Sequence, residues 1–142
     1  MIIADTSGLL AAFGHDTRPH QEARTVYESD PGPVIISPFV LAELDYLILR
    51  NAGIKAELDL LRDVADGVFA LVEFSPRDVA QAAAVAGQYS DQRIGLADAS
   101  IVVLAARYRT TRVLTLDERH FRVMRPLHAE AFTILPADHD ER

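Results

Sequence analysis

Short runs without a single polar residue punctuate the chain at residues 2–4, 34–36 and 68–72, and runs broken only by one threonine follow at 113–116 and 132–135. Strands covered on both faces lose the alternation of polar and apolar positions, so these runs predict five buried strands: 2–4, 34–37, 68–74, 113–116 and 132–135. Between them, apolar residues recur at helical spacing. The pattern predicts a short helix over 9–13 and a longer one from Pro19 to about Ser29, with Ala23, Val26 and Tyr27 inward. A third helix spans 39–50 and is closed by Asn51-Ala52-Gly53. It is apolar nearly all round, which predicts that it is mostly buried. Residues 55–66 are amphipathic, with Leu58, Leu61, Val64 and Ala65 as the expected buried stripe, and Gly67 ends them. Ser75 and Pro76 form a strong helix start, leading to about Tyr89. A last long helix begins near Ile94 and runs to Ala106. The tail, 137–142, is polar and expected to fray.

Strands alternating with helices predict an α/β fold, a three-layer sandwich with a five-stranded parallel sheet flanked by helices on both faces. Right-handed crossovers place every strand's C-terminal end on one edge. That is where open parallel sheets bind ligands.

Against this pattern, four acids stand out. Asp98 is the only charged residue between Ile94 and Ala106 and falls in the first turn of an apolar helix. A buried carboxylate without a partner costs several kcal/mol, roughly, and a helix N-terminus returns about 0.3–1 kcal/mol. An Arg or a metal ion is therefore expected to face Asp98. Asp5 follows the first strand and Asp117 the fourth. Glu43 lies about a turn and a half into the helix after the second strand, on a face with Phe39, Val40, Tyr46 and Leu47. All four are expected at the same edge of the sheet. Asp45 is expected to point elsewhere, exposed or paired with an Arg.

Each acid has a plainer reading. Asp5 and Asp117 are in position to cap the helical turns that follow them. Asp98 is an ordinary first-turn acid, and Glu43 is placed to pair with a buried Arg or to snorkel to the surface. The fold brings all four together, which the plainer readings leave unexplained. Four carboxylates without lysines repel one another and titrate as a coupled group, which a divalent cation relieves. Oxygen ligands with no Cys and no His pair favour Mg²⁺ or Mn²⁺ over Zn²⁺, and such sites suit phosphoryl chemistry.

Composition alters this picture little. The 142 residues suit one domain, and there is no cysteine, which fits a reducing, cytoplasmic setting. Neither a signal peptide nor an apolar run of the ~20 residues needed for a membrane helix is seen. The net charge of −7 argues superficially against nucleic acid. Yet six of the 14 basic residues are arginines between Arg107 and Arg125, a candidate RNA-contacting group. His15, His20, His120, His128 and His139 form no zinc-binding spacing and read as structural or exposed. Ser7 lacks the surroundings of a nucleophile. Thr6, Ser7 and Thr115 read as hydroxyls that orient carboxylates or a water.

Ile2-Ile3-Ala4-Asp5-Thr6-Ser7, Ser37-Pro38-Phe39-Val40-Leu41-Ala42-Glu43-Leu44, Ile94-Gly95-Leu96-Ala97-Asp98-Ala99 and Leu114-Thr115-Leu116-Asp117-Glu118-Arg119-His120-Phe121 occur in this order. In them the chain resembles PIN-domain ribonucleases, and most closely the VapC-type toxins of toxin–antitoxin pairs. The resemblance covers nearly the whole of 1–142, read as a single PIN domain, and the acidic set is complete. It implies a Mg²⁺-dependent endoribonuclease, with Mn²⁺ able to substitute, in which Asp5 and Asp98 are the principal metal ligands. Glu43 and Asp117 complete the pocket, orienting water or a second ion. It also implies a homodimer, a transfer or ribosomal RNA substrate, and a cognate antitoxin whose C-terminal segment covers the site.

An aspartyl-phosphate phosphatase would need a second Asp where Ser7 stands and a Lys near the site, and Lys55 is the only lysine. A receiver domain fails similarly. The remaining alternative is a catalytically silent module of the same fold that binds RNA or antitoxin without cutting.

Overall fold

The computed structural model describes residues 1–14 and 17–139. His15 therefore lies outside the described residues, as does the end of the polar tail. Five strands, β1 (Ile2–Ala4), β2 (Val34–Ile36), β3 (Ala70–Leu71), β4 (Arg112–Leu114) and β5 (Thr133–Leu135), form one sheet in the order β3-β2-β1-β4-β5. Every pairing is parallel, in registers such as Ile3 opposite Ile35 and Val113. Among the described residues seven α-helices connect them: α1 (Thr6–Phe13), α2 (Arg18–Ser29), α3 (Pro38–Ala52), α4 (Ile54–Ala65), α5 (Pro76–Gln88), α6 (Leu96–Tyr108) and α7 (Glu118–Val123). The expected five-stranded parallel sheet flanked by helices is the fold observed.

Strand order decides where a site can lie. The chain moves from β1 outward through β2 to β3, then returns to the other side of β1 for β4 and β5. The reversal between β1 and β4 opens a crevice at their C-terminal ends. Asp5 follows β1 directly, and Thr115 to Asp117 follow β4.

The core explains which helices are fixed. Ile2, Ile3, Ala4, Ile35, Ile36, Val113, Leu114 and Ile134 are all at most 1 % exposed. Residues 99–105 of α6 are all buried, so this helix lies deepest. α1 approaches β4 so closely that a Cβ on Gly8 would collide with the Leu114 carbonyl. The Asp5 N–H donates to that same carbonyl (2.9 Å) and locks the β1 end against β4.

Several local expectations change. α1 begins at Thr6, directly after Asp5, rather than at Leu9. α3 buries only Val40 and Leu44 fully, and Tyr46 and Leu49 face solvent. In α4 the inward residue is Leu60, with Val64 partly buried, whereas Leu58 and Leu61 are exposed and Ala65 is too. The two helices pack as a hairpin at the margin of the sheet, so apolar residues off the contact line stay in water. β3 is far shorter than 68–74 because it pairs only with β2, at the sheet's edge. Asp45 meets no Arg: its Oδ1 is buried without a hydrogen-bond partner, and burial together with Asp45 raises the Glu57 carboxyl across the hairpin. The described part of the tail is anchored, since Asp138 accepts from Arg122 and from the Ile134 N–H (2.8 Å).

Ion pairing at the opposite, N-terminal end of the sheet ties three segments together. The buried Asp30 carboxylate accepts from the Met1 ammonium (3.1 Å), the Gly32 N–H (2.9 Å) and Arg112. Burial alone would raise Asp30, but these donors outweigh it and hold it below the usual carboxylate range.

Candidate functional site

Asp5, Glu43, Asp98 and Asp117 all line one cleft of about 260 Å³, together with Ser7, Gly95, Ala97 and His120. The four expected acids thus converge from α3, α6 and the ends of β1 and β4. Their environments differ. Asp5 is 6 % exposed, Asp98 is largely enclosed and Asp117 partly so, whereas Glu43 is exposed at the rim. The expectation of an apolar setting for Glu43 fails because α3 turns that face toward the cleft mouth.

Asp5 is the most structured of the four. Thr115 Oγ1 donates to Asp5 Oδ2 at 2.8 Å, and Ser7 Oγ donates to the same oxygen at 3.1 Å. Each hydroxyl is itself oriented by a backbone donor: the Asp117 N–H reaches Thr115 Oγ1 (2.9 Å) and the Leu116 N–H reaches Ser7 Oγ (3.0 Å). Each hydroxyl accepts one backbone N–H and has one proton to give; the two also lie 3.1 Å from each other, so they and Asp5 form one hydrogen-bonded cluster. Asp5 sits at the N-cap of α1 but makes no side-chain cap bond, so capping does not account for it. Burial pushes its carboxyl up, opposed first by Thr115, then by the Thr6 N–H and Ser7, with Glu43 adding repulsion. Thr6 contributes through its backbone rather than its hydroxyl, whose oxygen is buried without a partner.

Asp98 stands at the third position of α6, after a Gly95 N-cap. Its carboxyl is pushed up to about 6, chiefly by burial and then by the charge of Asp5. The group facing it is neither Arg nor Lys: Asp98 Oδ2 lies 3.0 Å from His120 Nδ1. Asp117 does cap a helix, accepting the His120 N–H at Oδ1 (3.2 Å). Its other oxygen lies 3.1 Å from His120 Nδ1, so one carboxylate serves both cap and cleft.

His120 is the cleft residue that sequence reasoning sets aside. The available signal was local: an N-cap acid and the residue three positions on share one side of a first turn. The helices carrying Glu43 and Asp98 are also coupled. Ser37 caps α3 through the Val40 N–H (3.1 Å) and lies 3.0 Å from the buried Ser100 Oγ of α6.

The arginine group is less free than its sequence suggests. Arg107 is held by Asp78, Arg112 by Asp30, and Arg122 by Glu118 and Asp138. Arg109, Arg119 and Arg125 are exposed and form no ion pair among the described residues.

The donor set fits a hard divalent cation. Four carboxylates line one space with no lysine beside them; the charge of Asp5 raises Asp98 and that of Glu43 raises Asp5, a repulsion a cation reverses.

Comparison with known proteins agrees with this architecture. Residues 2–126 match the PIN domain model. The chain is 44 % identical over 135 residues to Ribonuclease VapC26 of Mycobacterium tuberculosis, covering 95 % of this chain and 100 % of that protein. Among solved structures, it superposes on Mycobacterium tuberculosis VapC20, a sarcin–ricin loop cleaving toxin, with a TM-score of 0.75. That pair shares 20 % identity over 84 % of this chain and 92 % of the other. A toxin–antitoxin complex from Klebsiella pneumoniae gives a TM-score of 0.65 at 21 % identity, over 87 % and 92 %. These two structures share the fold; the model match and the 44 % relative place the sequence, and the chain belongs to the PIN-domain family and, within it, to the VapC group.

Proposed function

We propose that this protein is a Mg²⁺-dependent endoribonuclease, the toxin of a toxin–antitoxin pair. The observation that carries the reading is the convergence of Asp5, Glu43, Asp98 and Asp117 on one cleft, in a chain 44 % identical to a protein named as a ribonuclease. Bound by Asp5 and Asp98, Mg²⁺, or Mn²⁺ in its place, supplies charge neutralisation at the phosphate and an activated water.

The chain's own groups do the rest. Ser7 and Thr115 hold Asp5 in one orientation and favour its ionised form. Glu43, exposed at the mouth, orients the attacking water and accepts its proton. Asp117 closes the cleft on the β4 side, its carboxylate fixed by the His120 N–H. The water oxygen bonds to phosphorus, the bond from phosphorus to a ribose oxygen breaks, and that oxygen takes a proton from solvent to leave as a hydroxyl. Arg119 and Arg125, outside any ion pair among the described residues, are suited to RNA phosphates.

The partner reading rests on a different surface. α1, α3 and α4 enclose an apolar groove of about 410 Å³, lined by residues including Leu10, Phe13, Leu47, Ile48, Leu60 and Phe69. Tyr46, Ile54 and Leu58 are exposed on the same two helices, α3 and α4, and the groove suits an apolar segment of an antitoxin. A homodimer and a transfer or ribosomal RNA substrate complete the proposal, and 1–142 is read as one PIN domain. Among the described residues no helix is long and apolar enough to cross a membrane.

The test is to incubate the purified protein with total RNA in Mg²⁺ or in chelator and to analyse the product ends. Hydrolysis by water predicts discrete cation-dependent fragments without 2′,3′-cyclic phosphate. Cyclic ends would mean that the ribose 2′-hydroxyl attacks instead. RNA binding without cutting would favour the silent module.

A further inference from the structure

One corner of the cleft holds a donor that an all-oxygen magnesium site lacks. His120 Nδ1 lies 3.0 Å from Asp98 Oδ2 and 3.1 Å from Asp117 Oδ2. One ligand atom from each of the three residues lies within 4.8 Å of the other two. The imidazole is 13 % exposed, and its backbone is fixed by the bond from its N–H to Asp117 Oδ1. The turn that carries it is therefore set before any ion arrives.

Neighbouring ligand atoms on a six-coordinate ion with bonds of about 2.1 Å stand about 3 Å apart. The two measured separations therefore match an edge shared by ligands of one ion as well as they match a hydrogen bond. Ligation requires the tautomer with its hydrogen on Nε2, which leaves the Nδ1 lone pair free toward the acids.

We propose that His120 is a nitrogen ligand, and that Asp98, Asp117 and His120 form a second cation position that prefers a transition ion such as Mn²⁺ to Mg²⁺. The proposal rests on the metal-dependent reading above and deepens it. Imidazole binds first-row transition ions well, whereas Mg²⁺ keeps oxygen ligands and waters. An all-carboxylate pocket has no such means of choosing. Asp98 would be shared between this corner and the position formed with Asp5, and so would contribute to both.

The test is electron spin-echo spectroscopy of Mn²⁺ bound to the purified full-length chain, which detects a directly coordinated ¹⁴N nucleus. The wild-type spectrum should carry imidazole nitrogen modulation. In His120→Gln that modulation should disappear while Mn²⁺ still binds through Asp5. Mn²⁺ affinity should fall about 10-fold or more, with Mg²⁺ affinity changing far less. Bound Mn²⁺ without nitrogen modulation in the wild type would overturn the proposal and leave the metal-dependent reading standing. Modulation that persists in His120→Gln would do the same. A wild-type protein that binds neither ion overturns both. If His120→Gln does not fold, His120→Asn takes its place, and absence of modulation in the wild type still overturns the proposal on its own.

Discussion

Thr115 donates its hydroxyl proton to Asp5 Oδ2 at 2.8 Å across the β1–β4 crevice, while accepting the N–H of Asp117 (2.9 Å). One side chain thus sets the orientation of one acid and the loop position of another. Thr115→Val keeps the shape and removes both bonds. It should reduce RNA cleavage about 10–100-fold and cost about 1–3 kcal/mol in urea unfolding, since a buried acceptor and a buried donor lose their partner. Thr115→Ser should restore most of both.

Asp98 carries the opposite relation between stability and function. Its folded carboxyl is raised from 3.8 to about 6 by burial and the charge of Asp5. The folded state then binds more protons than the unfolded state between these values, so metal-free stability falls as pH rises from about 4 to 6 and is level above. Asp98→Asn removes that penalty. Urea midpoints should show the variant more stable than wild type by about 1–3 kcal/mol at pH 7 and equal to it near pH 4, without added metal. Saturating Mg²⁺ should narrow the gap by stabilising only the wild type.

Glu43 should separate activity from stability in another way. It is exposed on α3, outside the core formed by Val40 and Leu44. Glu43→Gln should therefore leave thermal unfolding within about 0.5 kcal/mol of wild type. It should still lower kcat about 10²–10⁴-fold if the side chain is the proton acceptor.

Asp30 is a stability residue far from the cleft. Its donors hold it below the ordinary carboxylate range despite burial. A depressed folded pKa gives stability that is present above the unfolded value and is lost as pH falls through the folded one. Asp30→Ala should cost about 2 kcal/mol at pH 7, less than a fully buried pair because Met1 and Arg112 are partly in water. The loss should shrink below pH 4, in urea titrations, with cleavage per folded molecule unchanged.

Much of the site was legible because charge broke an apolar pattern. Asp5 and Asp98 declare themselves as lone carboxylates in buried segments, and parallel topology sends both to one edge. The strand order was not legible, since no local feature of residues 34–36 or 112–114 says that these two strands both flank β1. Helical spacing shows which residues share a face but not what lies across from it. Glu43 was therefore assigned an apolar setting it does not have, and Leu58 and Leu61 were placed inward where Leu60 is. His120 escaped for a related reason: in Leu116-Asp117-Glu118-Arg119-His120 the acid reads as a cap. Only the folded turn shows that its second oxygen and the imidazole share the cleft with Asp98.

The most direct test of the central claim compares RNA cleavage by wild type and Asp98→Asn, each in Mg²⁺ and in chelator. Both proteins must be purified free of other proteins and shown to be folded. The account predicts discrete fragments from the wild type in Mg²⁺ alone, and none from Asp98→Asn despite its equal or greater stability. Cleavage that survives chelation, or that Asp98→Asn performs at the wild-type rate, would contradict it.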